Sequence, residues 1–160
     1  MTIAVPENYA RWIRASCIKQ FYSALLAVEH THVEGTKRET QDKAKWFELR
    51  VDGPVFNEQS HRQFICKVDV NIACSVVGED DAYALDRLSG KAASLFSYSI
   101  ECKKYGTGVG DDDSVIGCLS LIPGPKETIA IANFGLVRFD TELYQSTVEG
   151  HYRMHFKVEE

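Results

Sequence analysis

The sequence lacks the spacings that pair cysteines. Cys17, Cys66, Cys74, Cys102 and Cys118 include no C-x-x-C, and an odd number in 160 residues argues for reduced thiols in a cytosolic setting rather than a disulfide framework. Long apolar runs are missing too. No uncharged stretch approaches the ~20 residues of a membrane helix. The opening MTIAVPENYARW has no basic segment followed by an apolar core, so no signal peptide is expected. Positive charge is scarce: 18 Lys and Arg stand against 23 Asp and Glu, a net −5. That argues against a general phosphate-binding surface, while allowing a local basic patch or an acidic wall past which DNA slides. No G-x-S-x-G, H-E-x-x-H or Walker sequence occurs, which leaves a nucleophilic enzyme without a motif.

What is present suits one domain spanning 1–160. A 44% hydrophobic, 26% charged chain of this length buries roughly 70% of its unfolded surface. From about Tyr9 to Val28 apolar residues recur at helical spacing, with Pro6 and Asn8 at the start. Ala10, Ile13, Cys17, Phe21, Ala24 and Val28 form the expected core face. A second stripe, Ala15, Ile18, Tyr22 and Leu26 with Trp12 at its edge, is more than a surface helix needs. Residues 33–45, VEGTKRETQDKAK, read as a long charged loop of the functional or disordered kind.

WFELRVD (46–52) alternates as a strand; DGP turns it and FNEQSH continues the connection. The longest alternation, Phe64 to Val76, pairs with it as a hairpin, with Cys66 and Cys74 as small buried hydrophobes in its apolar row. Gly78-Glu79-Asp80-Asp81 supplies a turn, a cap and favourable acids for a helix from about Asp81 to Phe96. Its Leu85, Leu88, Ala92, Leu95 and Phe96 face inward; Tyr83, Arg87, Gly90 and Ser94 face out. Short strands are expected at Tyr98–Lys103, Val115–Ile122 and Ile129–Val137, the last weakened by Gly135. The ending, QSTVEGHYRMHFKVEE, alternates an apolar row with a polar row carrying His151, Arg153 and His155. The predicted fold is α+β: a largely antiparallel, mixed sheet with two main helices packed on one face.

Motifs that suggest chemistry have plainer readings. His151 and His155 on one strand lie roughly 13 Å apart at their Cα atoms, too far to ligate one zinc at about 2 Å each. His30-Thr31-His32 falls where helix one is expected to end. A metal is conceivable there, but a protonated histidine favouring a helix C-terminus is the simpler reading. GTGVG (106–110) is followed by Asp111, Asp112 and Asp113, which repel phosphate and lack calcium-loop spacing. A flexible acidic surface loop is expected. Arg11, Arg14 and Lys19 beside Trp12 read as a solvated face, with Glu7 placed four residues before Arg11 for a surface ion pair. No catalytic residue, metal or cofactor is expected.

The strand running into a capped helix, ICKVDVNIACSVVGEDDAYALDRLSGKAASLF (65–96), and the ending LYQSTVEGHYRMHF (143–156) resemble the tail terminator proteins of long-tailed (siphovirus-type) bacteriophages, the lambda-type family. The resemblance covers most of the chain as architecture, without a diagnostic motif. It implies a structural virion protein and not an enzyme. Such a protein forms a homo-oligomeric ring, typically a hexamer, at the head-proximal end of the tail. Its partners would be the tail tube protein, whose growth it stops, and the head-completion or connector protein. DNA would pass through without sequence-specific binding, and no membrane is involved. Assembly would take place in the host cytoplasm. The contacts expected on this reading are Trp12, Ile18, Tyr22 and Leu26 on helix one; Lys37, Arg38, Asp111, Asp112 and Asp113 in the charged loops; and His151, Arg153 and His155 on the last strand. The alternatives are another connector, such as a neck or head-completion protein, and a small cytosolic ligand-binding or enzyme domain.

Overall fold

The computed structural model describes residues 8–34, 44–78, 83–123 and 128–158. Elements follow in the order α1 (Asn8–Leu26), β1 (Thr31–Val33), β2 (Lys45–Ser60), β3 (Gln63–Val77), α2 (Ala84–Ser94), β4 (Ser99–Lys103), β5 (Val115–Leu121), β6 (Ile129–Arg138) and β7 (Leu143–Lys157). This is the α+β fold that the alternations predict. The strands form one mixed sheet in the order β1-β2-β3-β7-β5-β4, with β6 also on β7. Among the described residues, only the β1–β2 pairing is parallel.

The long strands β3 and β7 are the middle of the sheet, in register from Gln63 opposite Lys157 to Val77 opposite Leu143. Because side chains alternate along a strand, this register lines up two apolar rows on one face. Phe64, Cys66, Val68, Val70, Ile72 and Cys74 are buried on β3, and Val148, Tyr152, Met154 and Phe156 on β7. The other edge of β7 pairs in turn with β6, from Ile129 opposite Gly150, and with β5, at Ser120 opposite Arg153.

Both helices cover the apolar face. α2 packs on β3, β7 and β6; α1 packs on β1, β2 and β4. Strands from both sides of the β3–β7 centre therefore reach α1, so the sheet curls around that helix. Phe21 meets Phe96 and Tyr152 edge-on, and Tyr9 stacks on Phe156 at 5.3 Å. The Tyr152 hydroxyl donates to the Ser97 carbonyl at 2.8 Å, satisfying the one polar atom of a fully buried ring.

Several expectations change. The buried face of α1 is Tyr9, Trp12, Ile13, Ser16, Cys17, Phe21 and Leu25, while Ala10 and Val28 are exposed. The face is rotated and widened because the curled sheet encloses more of the helix than a flat one could. α1 ends at Leu26, and Thr31–Val33 is a strand rather than a helix end, with His32 buried in it. DGP does not end the strand. β2 runs on through Pro54 to Ser60, a register shift between Asp52 and Val55 absorbing the irregularity, so FNEQS belongs to the ladder. α2 begins at Ala84 without a side-chain cap; the expected capping acids at 79–81 lie outside the described residues.

Gly150 shows how tightly the layers meet. A Cβ there would fall 2.6 Å from Phe96 Cε1 and 2.8 Å from its Cδ1, closer than atoms can pack. Gly150→Ala is expected to destabilise the fold by ~1–3 kcal/mol in urea titration. Gly90→Ala, in open space on the exposed face of α2, should be neutral or stabilising by up to ~1 kcal/mol. Equal midpoints for the two variants would contradict this packing.

Candidate functional site

The start of α1 and the 104–114 loop form one polar cluster. The Trp12 indole N–H donates to Asp111 Oδ1 at 2.6 Å, and Arg11 Nη2 donates to the same carboxylate at 2.9 and 3.1 Å. Arg11 Nη1 donates to the Tyr105 carbonyl at 3.1 Å, and Lys19 Nζ lies 3.9 Å from the Tyr105 ring centroid. The Gly108 N–H also donates to Asp111, at 3.1 Å. The glycine-rich loop does cradle an anion, but that anion is its own Asp111 carboxylate. Gly106 has φ +145°, and any Cβ on it would strike the Asp111 side chain, so glycine is required there by both backbone and space.

One expectation changes. Trp12 is buried and hydrogen-bonded to Asp111. The acidic loop is pinned to α1, with only 4% of the Asp111 side chain exposed. Asp112 accepts from the Ser114 N–H and hydroxyl, while Asp113 is exposed at the surface. Lys37 and Arg38 lie outside the described residues, as does Glu7; among the described residues Arg11 pairs with Asp111.

The last strand divides its rows as the alternation requires. His151, Arg153 and His155 are exposed on the sheet face away from the helices. His151 Nδ1 lies 2.5 Å from Asp69 Oδ1, its cross-strand neighbour, and Arg153 stands opposite Lys67. Farther along this face Arg50 bonds Asp52 at 3.0 Å and Glu34 at 3.2 Å. A depression of about 330 Å³ there is lined by Glu34, Glu48, Arg50, Asp52, Asn71, Ala73 and Thr147. All of its lining residues except Ala73 are polar or charged, whereas the pockets that hold small organic ligands are lined mainly by hydrophobic and aromatic side chains.

On α1, Ile18 is half-buried against the core, so it is the base of the expected ridge rather than its crest. Tyr22 and Leu26 remain exposed at 36% and 46%. A second apolar surface went unrecognised in the sequence. Along β6 and just beyond it, Ile131, Phe134, Val137 and Phe139 are exposed, Phe134 at 59% and Phe139 at 85%. The signal was in IANFGLVRF (131–139), whose large apolar residues do not alternate with polar ones although the strand is at an edge.

Four of the five cysteines are buried. Burial pushes the thiols of Cys66 and Cys102 up to about 12 and that of Cys74 up to about 11. Burial raises Cys17 further still. A buried thiol held protonated is a poor nucleophile. Cys118 is exposed, on β5. Among the described residues, His30 and His32 included, no group of three or more His, Cys, Asp or Glu is arranged to hold a metal ion, and no helix is long and apolar enough to cross a membrane.

No family model matches this chain, and no curated protein does. A solved structure that carries no functional name is similar over 93% of this chain and 97% of its own, with a TM-score of 0.57 and 14% identity. That likeness extends to the fold alone.

The Asp111 cluster has a pH signature. Hydrogen bonds from Trp12, then Arg11, lower the Asp111 pKa below the ordinary carboxylate value of 3.8. The folded state thus prefers the charged form. The resulting stability is fully present above the unfolded pKa and is lost as pH falls through the lower folded one. Protection of the Trp12 indole N–H from solvent exchange should therefore hold at neutral pH and fail only in acid below the ordinary carboxylate value of 3.8. In Asp111→Asn the protection should be weaker throughout and without that acid step. An identical step in both proteins would show that another group controls the loop.

Proposed function

We propose that this chain is a structural virion subunit of the tail-terminator type. Copies form a ring, six in the family it resembles, on the last ring of a tail tube. The ring stops tube growth and presents a surface to the head-side connector. DNA passes through the centre without being gripped, which a net charge of −5 favours. In this reading the chain is not an enzyme.

The observation that carries the proposal is the apolar crest of α1. This helix is enclosed by a curled sheet along most of its length, yet Tyr22 and Leu26 stand in solvent at its end. They lie four residues apart, on one face. Exposed neighbouring apolar side chains on a helix with an otherwise buried apolar face mark a contact surface. The core leaves them exposed, so they are available for another molecule to cover. The polar sheet face bearing His151, Arg153 and His155 is open for a second role, toward the channel or a neighbouring protein.

Each crest side chain contributes roughly 1.5–3 kcal/mol when fully buried, and a charge placed there adds a desolvation penalty. The double variant Tyr22→Asp, Leu26→Lys is expected to keep the wild-type circular dichroism spectrum and melting behaviour. It should fail to limit tube length when tail tube protein is polymerised in its presence. Electron microscopy of the tubes reads the outcome directly. Uniform short tubes with wild type and overlong tubes with the variant support the proposal. Overlong tubes with both would remove the terminator role, and an unfolded variant would mean that the crest is core.

A further inference from the structure

We infer that Arg11 and Trp12, near the start of α1, form a carboxylate-binding site. Asp111 fills it from within the chain, and an acidic side chain of another protein fills it when the 104–114 loop gives way. Nothing in this depends on the ring reading.

The first support is the donor geometry. Each Asp111 oxygen receives two hydrogen bonds. Oδ1 accepts from Trp12 Nε1 at 2.6 Å and Arg11 Nη2 at 2.9 Å; Oδ2 accepts from Arg11 Nη2 and from the Gly108 N–H, both at 3.1 Å. Hydrogen bonds between charged partners are about twice as strong as neutral ones. The donors serve two oxygens and leave none for a third, which suits a planar carboxylate rather than a tetrahedral phosphate or sulfate. Asp112 and Asp113 follow directly in the chain and repel a doubly charged ligand.

The second support is that the principal donors do not need the loop to hold them. Arg11 and Trp12 belong to a helix of 19 residues. The Trp12 ring meets Tyr9 edge-on at 5.2 Å, and Tyr9 in turn stacks on Phe156 of β7. Arg11 Nη2 also donates to Asn8 Oδ1 at 3.3 Å. Donors already in place lose little freedom when a ligand arrives.

The third support is how the loop is attached. Its base extends the β4–β5 hairpin, with the Lys104 N–H donating to the Ser114 carbonyl at 3.0 Å and the Asp113 N–H to the Lys104 carbonyl at 3.1 Å. Beyond Tyr105, the hydrogen bonds from the loop to α1 among the described residues all run through Asp111. Residues 106–110 are exposed, and Val109 stands fully in solvent, so no apolar packing holds the tip. Gly106, Gly110 and Asp113 have φ of 145°, 88° and 57°; the last is a region that residues with a Cβ seldom adopt. One carboxylate therefore fastens a turn-rich loop with an unpacked tip, and a competing carboxylate replaces it without disturbing the core.

The test empties the site with Asp111→Ala and uses sodium acetate as the probe, at neutral pH against sodium chloride and sodium sulfate of equal ionic strength. The readout is the NMR resonance of the Trp12 indole N–H. It should move in the variant and return toward its wild-type position as acetate is added, with a midpoint on the order of 10 mM. Chloride and sulfate should move it little, and Arg11→Met, Asp111→Ala should not respond to acetate. A peptide of sequence GDDDS, that of residues 110–114, should reach the same end point. Wild type holds Asp111 at an effective concentration in the millimolar range, so it should need about tenfold more peptide, and its 106–113 amides should shift as the loop leaves. An equal response to chloride, or no saturable response in Asp111→Ala, overturns the site. A wild-type loop that no peptide concentration displaces overturns the exchange and makes Asp111 a permanent structural contact. If circular dichroism shows Asp111→Ala unfolded, Asp111→Asn, which keeps the side chain's shape, takes its place with the same outcomes.

Discussion

The enclosure of α1 by the curled sheet is the constraint on which the rest depends. A helix of 19 residues, about 28 Å long, is reached by β2 on one side and β4 on the other. That geometry buries Trp12 and Ser16 as well as Ile13, Cys17 and Phe21. It brings Trp12 to Asp111, so the long loop before β5 takes its shape from the helix. It also brings Ser16 to Lys103, which seals one sheet edge. The apolar surface left over sits where the enclosure ends, at the last turns of α1 and along β6.

The strands were largely legible in the sequence because burial on one face imposes a period of two, which β3 keeps from Gln63 to Cys74 and β7 from Ser146 to Lys157. His151, Arg153 and His155 fall outward for that reason alone. Helix one was harder. A helix touched on most sides has no single clean stripe, so the pattern gave its existence but placed its core face wrongly at Ala10 and Val28. The continuation of β2 past Pro54 was hidden because a register shift repairs the ladder only through its partner β3, and partners are invisible to local pattern. The Asp111 anchor was hidden likewise: it joins residues about a hundred positions apart. β6 was visible as a strand, but its exposure depends on being an edge, which is a property of topology.

These features divide the molecule's surface by chemistry. The sheet face away from the helices is polar and internally paired, as at Asp69–His151 and Arg50–Asp52. Exposed ion pairs of this kind contribute little to stability, but they keep the face hydrated. Exposed large apolar side chains include Tyr22 and Leu26 at the end of α1 and Ile131, Phe134 and Val137 on β6. A protein that must contact identical neighbours on two sides while leaving a wet face free is served by that division.

The central claim is a closed head-to-tail ring, and native mass spectrometry of the protein bound at tube ends measures closure directly. The account predicts one dominant species at a fixed multiple of the 18.0 kDa chain, six by the family resemblance, with no ladder of larger assemblies. A protein bound only as monomers, or an open series of oligomers without a preferred size, would contradict it.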